Sequence, residues 1–282
     1  MKIIREVVNA IELEIIILFG SHARGDEVDE AQMGAGGIDA RRSDFDILVV
    51  TAHRRIARKT GKWYRVKELI RQSATVQTPV TIIPHEICFI NKNLRRGHYF
   101  FTDIQNEGIL LYDSGRRQLA PARDLNPEEC RKRAAEDFKQ LYTSAISFLA
   151  GFQQAFDRTD YRKAALALHQ AVEHFYSTIL LVYTGYRPNR HDLDVLGYKA
   201  AFVEPRVLTV FPNTTAKEKR CFKLLCDAYV HSRSNRKYKI TREELTWLNK
   251  KVKELQELIE EVCREKIANY TKNSDTRKKA KT

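Results

Sequence analysis

The 282-residue chain has no apolar stretch approaching the ~20 residues that cross a bilayer; its longest candidates, 15–19 and 179–182, are far shorter, so no membrane span is expected. The N-terminus, Met-Lys-Ile-Ile-Arg-Glu, lacks a long apolar core and a small-residue cleavage site, which argues against a secretory signal. Cysteine is sparse. The five residues, at 88, 130, 221, 226 and 263, are odd in number and spaced for neither a disulfide framework nor a zinc site. Reduced thiols in a cytoplasmic setting are expected. Acid is the scarcer charge, 36 Asp and Glu against 49 Lys and Arg, and the net +13 favours a polyanionic ligand: a nucleotide, a nucleic acid or an acidic protein.

With 43% hydrophobic and 30% charged residues the composition is that of a globular protein. At roughly 150 residues per domain, two domains are expected. Residues 14–19, 45–51 and 76–83 have strand composition, and 63–70 could form a helix between the second and third. The first domain therefore reads as α/β (α+β) with a short mixed sheet. After Tyr112 the chain turns rich in Arg, Pro and Gly without periodicity, as a linker does.

Asn126-Pro127-Glu128-Glu129 then supplies an N-cap, a proline at the first helical position and acids in the first turn. Phe138, Leu141, Ala145, Phe148 and Phe152 follow at spacings of three and four. Further helices are expected over 161–184, closed by Gly185, and after the capping boxes Thr215-x-x-Glu218 and Thr241-x-x-Glu244, the last with a stripe of Leu245, Leu248, Val252, Leu255 and Leu258. The second domain reads as an all-α antiparallel bundle. The boundaries are 1–115, a linker at 116–126, the bundle at 127–268 and a basic disordered tail at 269–282.

The chemistry lies in the first domain. Gly20-Ser21-His22-Ala23-Arg24-Gly25 follows a strand directly, where small residues and free N–H groups can wrap a triphosphate. Ser43-Asp44-Phe45-Asp46 enters the next strand, and residues i and i+2 share a face, so Asp44 and Asp46 aim two carboxylates at one point. Such a pair beside phosphate oxygens suits Mg²⁺.

Together these residues resemble the minimal nucleotidyltransferases of the DNA polymerase β superfamily, whose signature is a Gly-Ser turn followed by Asp-x-Asp. Gly20, Ser21, Asp44 and Asp46 match position for position, and the resemblance extends through Gly97-His98-Tyr99-Phe100-Phe101 and Glu107-Gly108-Ile109-Leu110-Leu111-Tyr112. It implies that Asp44 and Asp46 are catalytic and metal-binding, and that Gly20, Ser21, Arg24 and Ser43 bind ATP or another nucleoside triphosphate. Two departures stand out. Ser21 and Asp44 are unusually far apart and enclose Met33-Gly34-Ala35-Gly36-Gly37, and Thr81 occupies the place of the family's third acid. Glu86 and Asp103 are candidate replacements.

The helical half resembles the HEPN domain through Leu168-His169-Gln170-Ala171-Val172-Glu173, then Tyr183-Thr184-Gly185-Tyr186-Arg187-Pro188 with His191, then Tyr229-Val230-His231-Ser232-Arg233 and Tyr238. The resemblance implies a homodimer. Arg233 and Arg236, with Tyr229 and Tyr238, form a basic aromatic cluster expected to bind phosphate and stack a base. Arg162 and His169 fit the family's ribonuclease spacing formally, a match that carries no weight where chance pairs are expected. The expected function is Mg²⁺-dependent binding of a triphosphate with transfer of the nucleoside monophosphate to a hydroxyl on RNA, protein or a small molecule. The alternatives are a catalytically weak regulatory or antitoxin-like module and, weakest, a ribonuclease.

Overall fold

A computed structural model describes residues 13–25, 45–73, 78–188, 191–235 and 237–279, and divides the chain into two compact units, Met1–Asp124 and Leu125–Thr282. The first unit is built on β1 (Leu13–Phe19), β2 (Phe45–Thr51), β3 (Val80–Glu86) and β4 (Ile109–Asp113). The sheet order is β3-β2-β1-β4. β1 runs antiparallel to both β2 and β4, whereas β2 and β3 are parallel, so the sheet is short and mixed as expected. The parallel pair needs a crossover. It is supplied by α2 (Arg54–Ala57) and α3 (Thr60–Arg71), while α1 (Ser21–Arg24), α4 (Ile87–Arg95) and α5 (Tyr99–Glu107) complete the unit.

β1 is buried along Leu13 to Ile17 without alternation, the pattern of a central strand covered on both faces. Leu13, Ile16, Val49, Ile56, Trp63, Val66 and Ile82 form one apolar cluster. Each fully buried Ile, Leu or Val contributes about 1.5–3 kcal/mol to the fold. The third strand runs from Val80, where pairing with β2 sets its register; residues 74–77, part of the segment expected as a strand, lie outside the described ones.

The segment read as a linker is held to the first unit through residue 124. Asn91 donates to the carbonyl of Gln118 (3.1 Å) and accepts from the N–H of Ala120 (2.7 Å), and Gln105 donates to the carbonyl of Ala120 (3.0 Å). The buried Glu14 anchors its start, accepting from the Ser114 hydroxyl at 2.7 Å with Arg116 at 3.4 Å.

The second unit is all-helical: α6 (Pro127–Asp157), α7 (Tyr161–Thr184), α8 (Leu193–Val203), α9 (Val207–Val210), α10 (Ala216–Ser234) and α11 (Arg242–Lys279). The expected capping box at Thr215 is formed, the N-cap expected at Asn126 also closes a capping box with Glu129, and Gly185 closes α7 in the left-handed region at φ 66°. Thr241 and Glu244 also cap α11 reciprocally, at 2.9 and 3.2 Å. The core joins Ala134, Phe138 and Ala145 of α6 to Leu168, Phe175 and Ile179 of α7 and to Leu245, Leu248, Val252 and Leu255 of α11. Farther along α11 the stripe passes to Ile259 and Val262, leaving Leu258 only partly buried. α11 extends to Lys279, so residues 269–279, read from composition as a disordered tail, are helical.

Candidate functional site

Gly20 ends β1 and opens α1 with φ 81° and ψ −158°, a backbone conformation essentially confined to glycine. A Cβ at this position would stand 2.9 Å from Oδ2 of Asp46. The carboxylate thus lies against bare backbone, at the start of β2, where Phe19 pairs with Asp46 across the β1–β2 ladder. The N–H of Phe45 donates to the carbonyl of Pro79 at 2.8 Å, and the His22 ring lies 4.3 Å from that of Phe45. Ser21 takes the first position of α1, half-buried.

Three of the residues expected at this site, Gly20, Ser21 and Asp46, are therefore together. Ser43 and Asp44 lie outside the described residues, as do Arg236 and the side chain of Arg233. Arg24 sits in the turn, 3.9 Å from Glu107 at the end of α5, both about half exposed. Glu107 was not singled out as a site residue from sequence. Only the packing of α5 on β1 brings its carboxylate to the turn, and no local pattern announces that contact.

On the other side of Asp46, in the parallel ladder, stands Thr81. A threonine and not an acid is thus the ladder neighbour of Asp46 on β3. Glu86 pairs with Thr51 at the far end of the same ladder; five residues at ~3.3 Å each put it roughly 16 Å away along the strand, so it does not replace the acid. Asp103 is exposed on α5. Among the described residues no group of three or more His, Cys, Asp or Glu side chains is arranged to hold a metal. Asp46 beside the glycine backbone nevertheless suits a hard cation shared with phosphate, because carboxylate oxygen is the donor Mg²⁺ takes and the space a Cβ would fill stays open.

In the second unit a different cluster forms around Glu173, whose side chain is 6% exposed. His191 Nδ1 lies 2.9 Å from Oε2 of Glu173, Arg187 lies 3.8 Å from Oε1, and His169 Nε2 lies 3.9 Å from Oε2. The Tyr229 ring stacks on His191 at 4.4 Å and on His169 at 5.4 Å. Residues from all three dispersed stretches that suggested a HEPN domain thus meet at one place. Tyr238 does not join as a stacking surface: it is buried, its hydroxyl donates to the carbonyl of Leu224 at 2.9 Å, and burial raises its pKa.

Arg162 and His169 do not form a ribonuclease pair here. The Arg162 guanidinium donates to the carbonyls of His231 and Asn235 at the end of α10, and His169 is fully buried with Nδ1 2.9 Å from the carbonyl of Leu225. That contact places the proton on Nδ1. Burial lowers the pKa of His169, so the imidazole is neutral and shielded from any phosphodiester.

A family model for the HEPN domain matches residues 138–262. The second unit carries a HEPN domain. Its matched span covers most of α6, all of α7 through α10 and the first half of α11, and it includes the Glu173 cluster. Among solved structures the chain is similar to a nucleotidyltransferase-like protein from Exiguobacterium sibiricum 255-15, determined at 1.90 Å, with 15% identity over 91% of this chain and 72% of that one and a TM-score of 0.30. The fold of the first unit rests on its sheet register and not on that likeness. No curated protein matches the chain. No helix among the described residues is long and apolar enough to cross a membrane.

Proposed function

We propose that the first unit binds a nucleoside triphosphate, ATP in the first instance, together with Mg²⁺ at Gly20, Ser21, Asp44 and Asp46, in the manner of a nucleotidyltransferase. The observation that carries this reading is the contact between position 20 and Asp46: a glycine in a conformation other residues avoid, 2.9 Å from the carboxylate once a Cβ is added. Backbone held this bare at a strand end lets phosphate oxygens approach the carboxylate closely. When bound, Mg²⁺ would neutralise the carboxylates and share phosphate oxygens with them. The Ser21 hydroxyl and the N–H groups of the turn would orient the phosphates, and Asp46 with Asp44 would hold the ion.

Transfer of a nucleoside monophosphate to a hydroxyl also needs a group near the ion to take the acceptor's proton. Thr81, the ladder neighbour of Asp46, cannot take it at neutral pH. A second reading, binding with little or no turnover in a regulatory or antitoxin-like module, is favoured by this threonine. Calorimetry with ATP in Mg²⁺ and in chelator tests the binding common to both: affinity should depend on Mg²⁺ in the wild type and lose that dependence in D46N. Equal affinity with and without the ion rules out the proposed site.

A further inference from the structure

Residues 53–71 carry eight Lys and Arg against one acid, Glu68, and so supply more than half of the chain's net +13. They fold as α2 and α3, and the fold turns their charge outward. Ile56, Trp63 and Val66 are 3%, 5% and 0% exposed and pack into the core beneath the sheet. The Trp63 Nε1–H donates to the carbonyl of Ile56 at 3.0 Å, tying one helix to the other. With that face fixed inward, Arg54, Arg58, Lys59 and Arg65 are exposed, and no ion pair among the described residues engages them. Glu68 is engaged by Arg71 at 3.0 Å. Among these cations Tyr64 is 68% exposed, a large ring held in water on the same helix.

We propose that this α2–α3 face is a binding surface for single-stranded nucleic acid, with Arg54, Arg58, Lys59 and Arg65 contacting phosphates and Tyr64 stacking a base. Charge of one sign on a surface of roughly 18 Å of helix matches a polyanion with repeating charges better than a single phosphate group. The exposed ring separates a nucleic acid from an acidic peptide, because a base offers a flat π-face to Tyr64 and a Glu or Asp side chain does not. Four exposed basic side chains within twelve residues of chain are also what counterion release requires.

The surface is distinct from the nucleotide site. Asp46 opens β2 whereas α2 follows its end at Thr51, about 16 Å further along the strand. The inference therefore stands or falls independently of the proposed triphosphate binding.

The test is fluorescence anisotropy of the full chain with labelled 20-nucleotide oligo-U and its DNA counterpart, across salt. Four phosphate contacts to a single strand predict a slope in log–log affinity near −2.8, a loss of roughly 50-fold between 50 and 200 mM salt. The R54Q/R58Q/K59Q/R65Q variant should bind more weakly and shed most of that slope. Tyr64→Ala should weaken binding by roughly 5- to 150-fold while Tyr64→Phe retains it, since stacking needs the ring and not the hydroxyl. Preference for RNA over DNA, or equal binding of both, identifies the natural strand, and either supports the surface. Wild-type affinity and slope in the quadruple variant, equal binding by the Ala and Phe variants, or equal competition by poly-glutamate would each overturn it. All five side chains are exposed, and circular dichroism of each variant confirms that the helices persist.

Discussion

Thr81 and Asp46 are direct neighbours in the parallel ladder between β3 and β2, so a residue at 81 is placed beside the carboxylate that the proposed metal site uses. Replacing Thr81 with Asp adds the missing acid without changing the strand's burial pattern. If the site binds Mg²⁺ and triphosphate as proposed, T81D should release pyrophosphate from ATP faster than wild type by at least about tenfold, a fraction of the 10²–10⁴ that a well-placed general base supplies. A coupled pyrophosphate assay reads this directly. No gain in T81D, with ATP binding retained, shows that position 81 is not where the acid is lacking.

Gly20 makes the complementary test. Gly20→Ala must place a methyl 2.9 Å from Asp46 Oδ2 and also hold an L-residue at φ 81°. The backbone term alone costs about 1–3 kcal/mol. The expected outcome is a lowered denaturation midpoint for the first unit together with loss of Mg²⁺-dependent ATP binding. A G20A protein with wild-type stability by urea unfolding contradicts the glycine requirement.

Much of this architecture is written locally. The strand expected at 45–51 and the helix expected at 161–184 coincide with β2 and α7, and the caps at Asn126 and Thr215 follow from side chains three residues apart. Contacts distant in sequence left no such trace. The Asn91 and Gln105 bonds that fasten residues 118–120 to the first unit, and the meeting of Glu173, His191 and Tyr229, depend on tertiary packing. The basic segment at α2–α3 lies between these cases: its charge is visible in sequence, but only burial of Ile56, Trp63 and Val66 shows that the charge is left in water. Composition misled most at the C-terminus, where polar, charged residues suit a solvated helix as well as a tail, and α11 continues to Lys279.

His85 supplies a pH-dependent test of the first unit. It pairs with Val50 in the β2–β3 ladder, its ring stacks on Phe89 at 4.8 Å and meets Phe101 edge-on at 5.6 Å, and its Nε2 is buried without a hydrogen-bond partner. Burial lowers its pKa from 6.5 to about 4. In the unfolded chain the imidazole protonates as pH falls through 6.5, whereas in the fold it stays neutral until near 4. Protonation therefore favours unfolding across that window: stability is full above 6.5 and declines on acidification, by at most about 3 kcal/mol at one pKa unit per 1.36 kcal/mol. Burial also lowers the pKa of His169 and His174 and raises that of Asp137 to about 6, but all three lie in the second unit. The difference between wild type and H85F isolates the first. Urea unfolding at pH 7.5, 6 and 5, followed by Trp63 fluorescence in a W247F background, should show the midpoint falling with acid and falling less when H85F is added. Parallel profiles for the two proteins would mean that His85 is not the group held neutral by the fold.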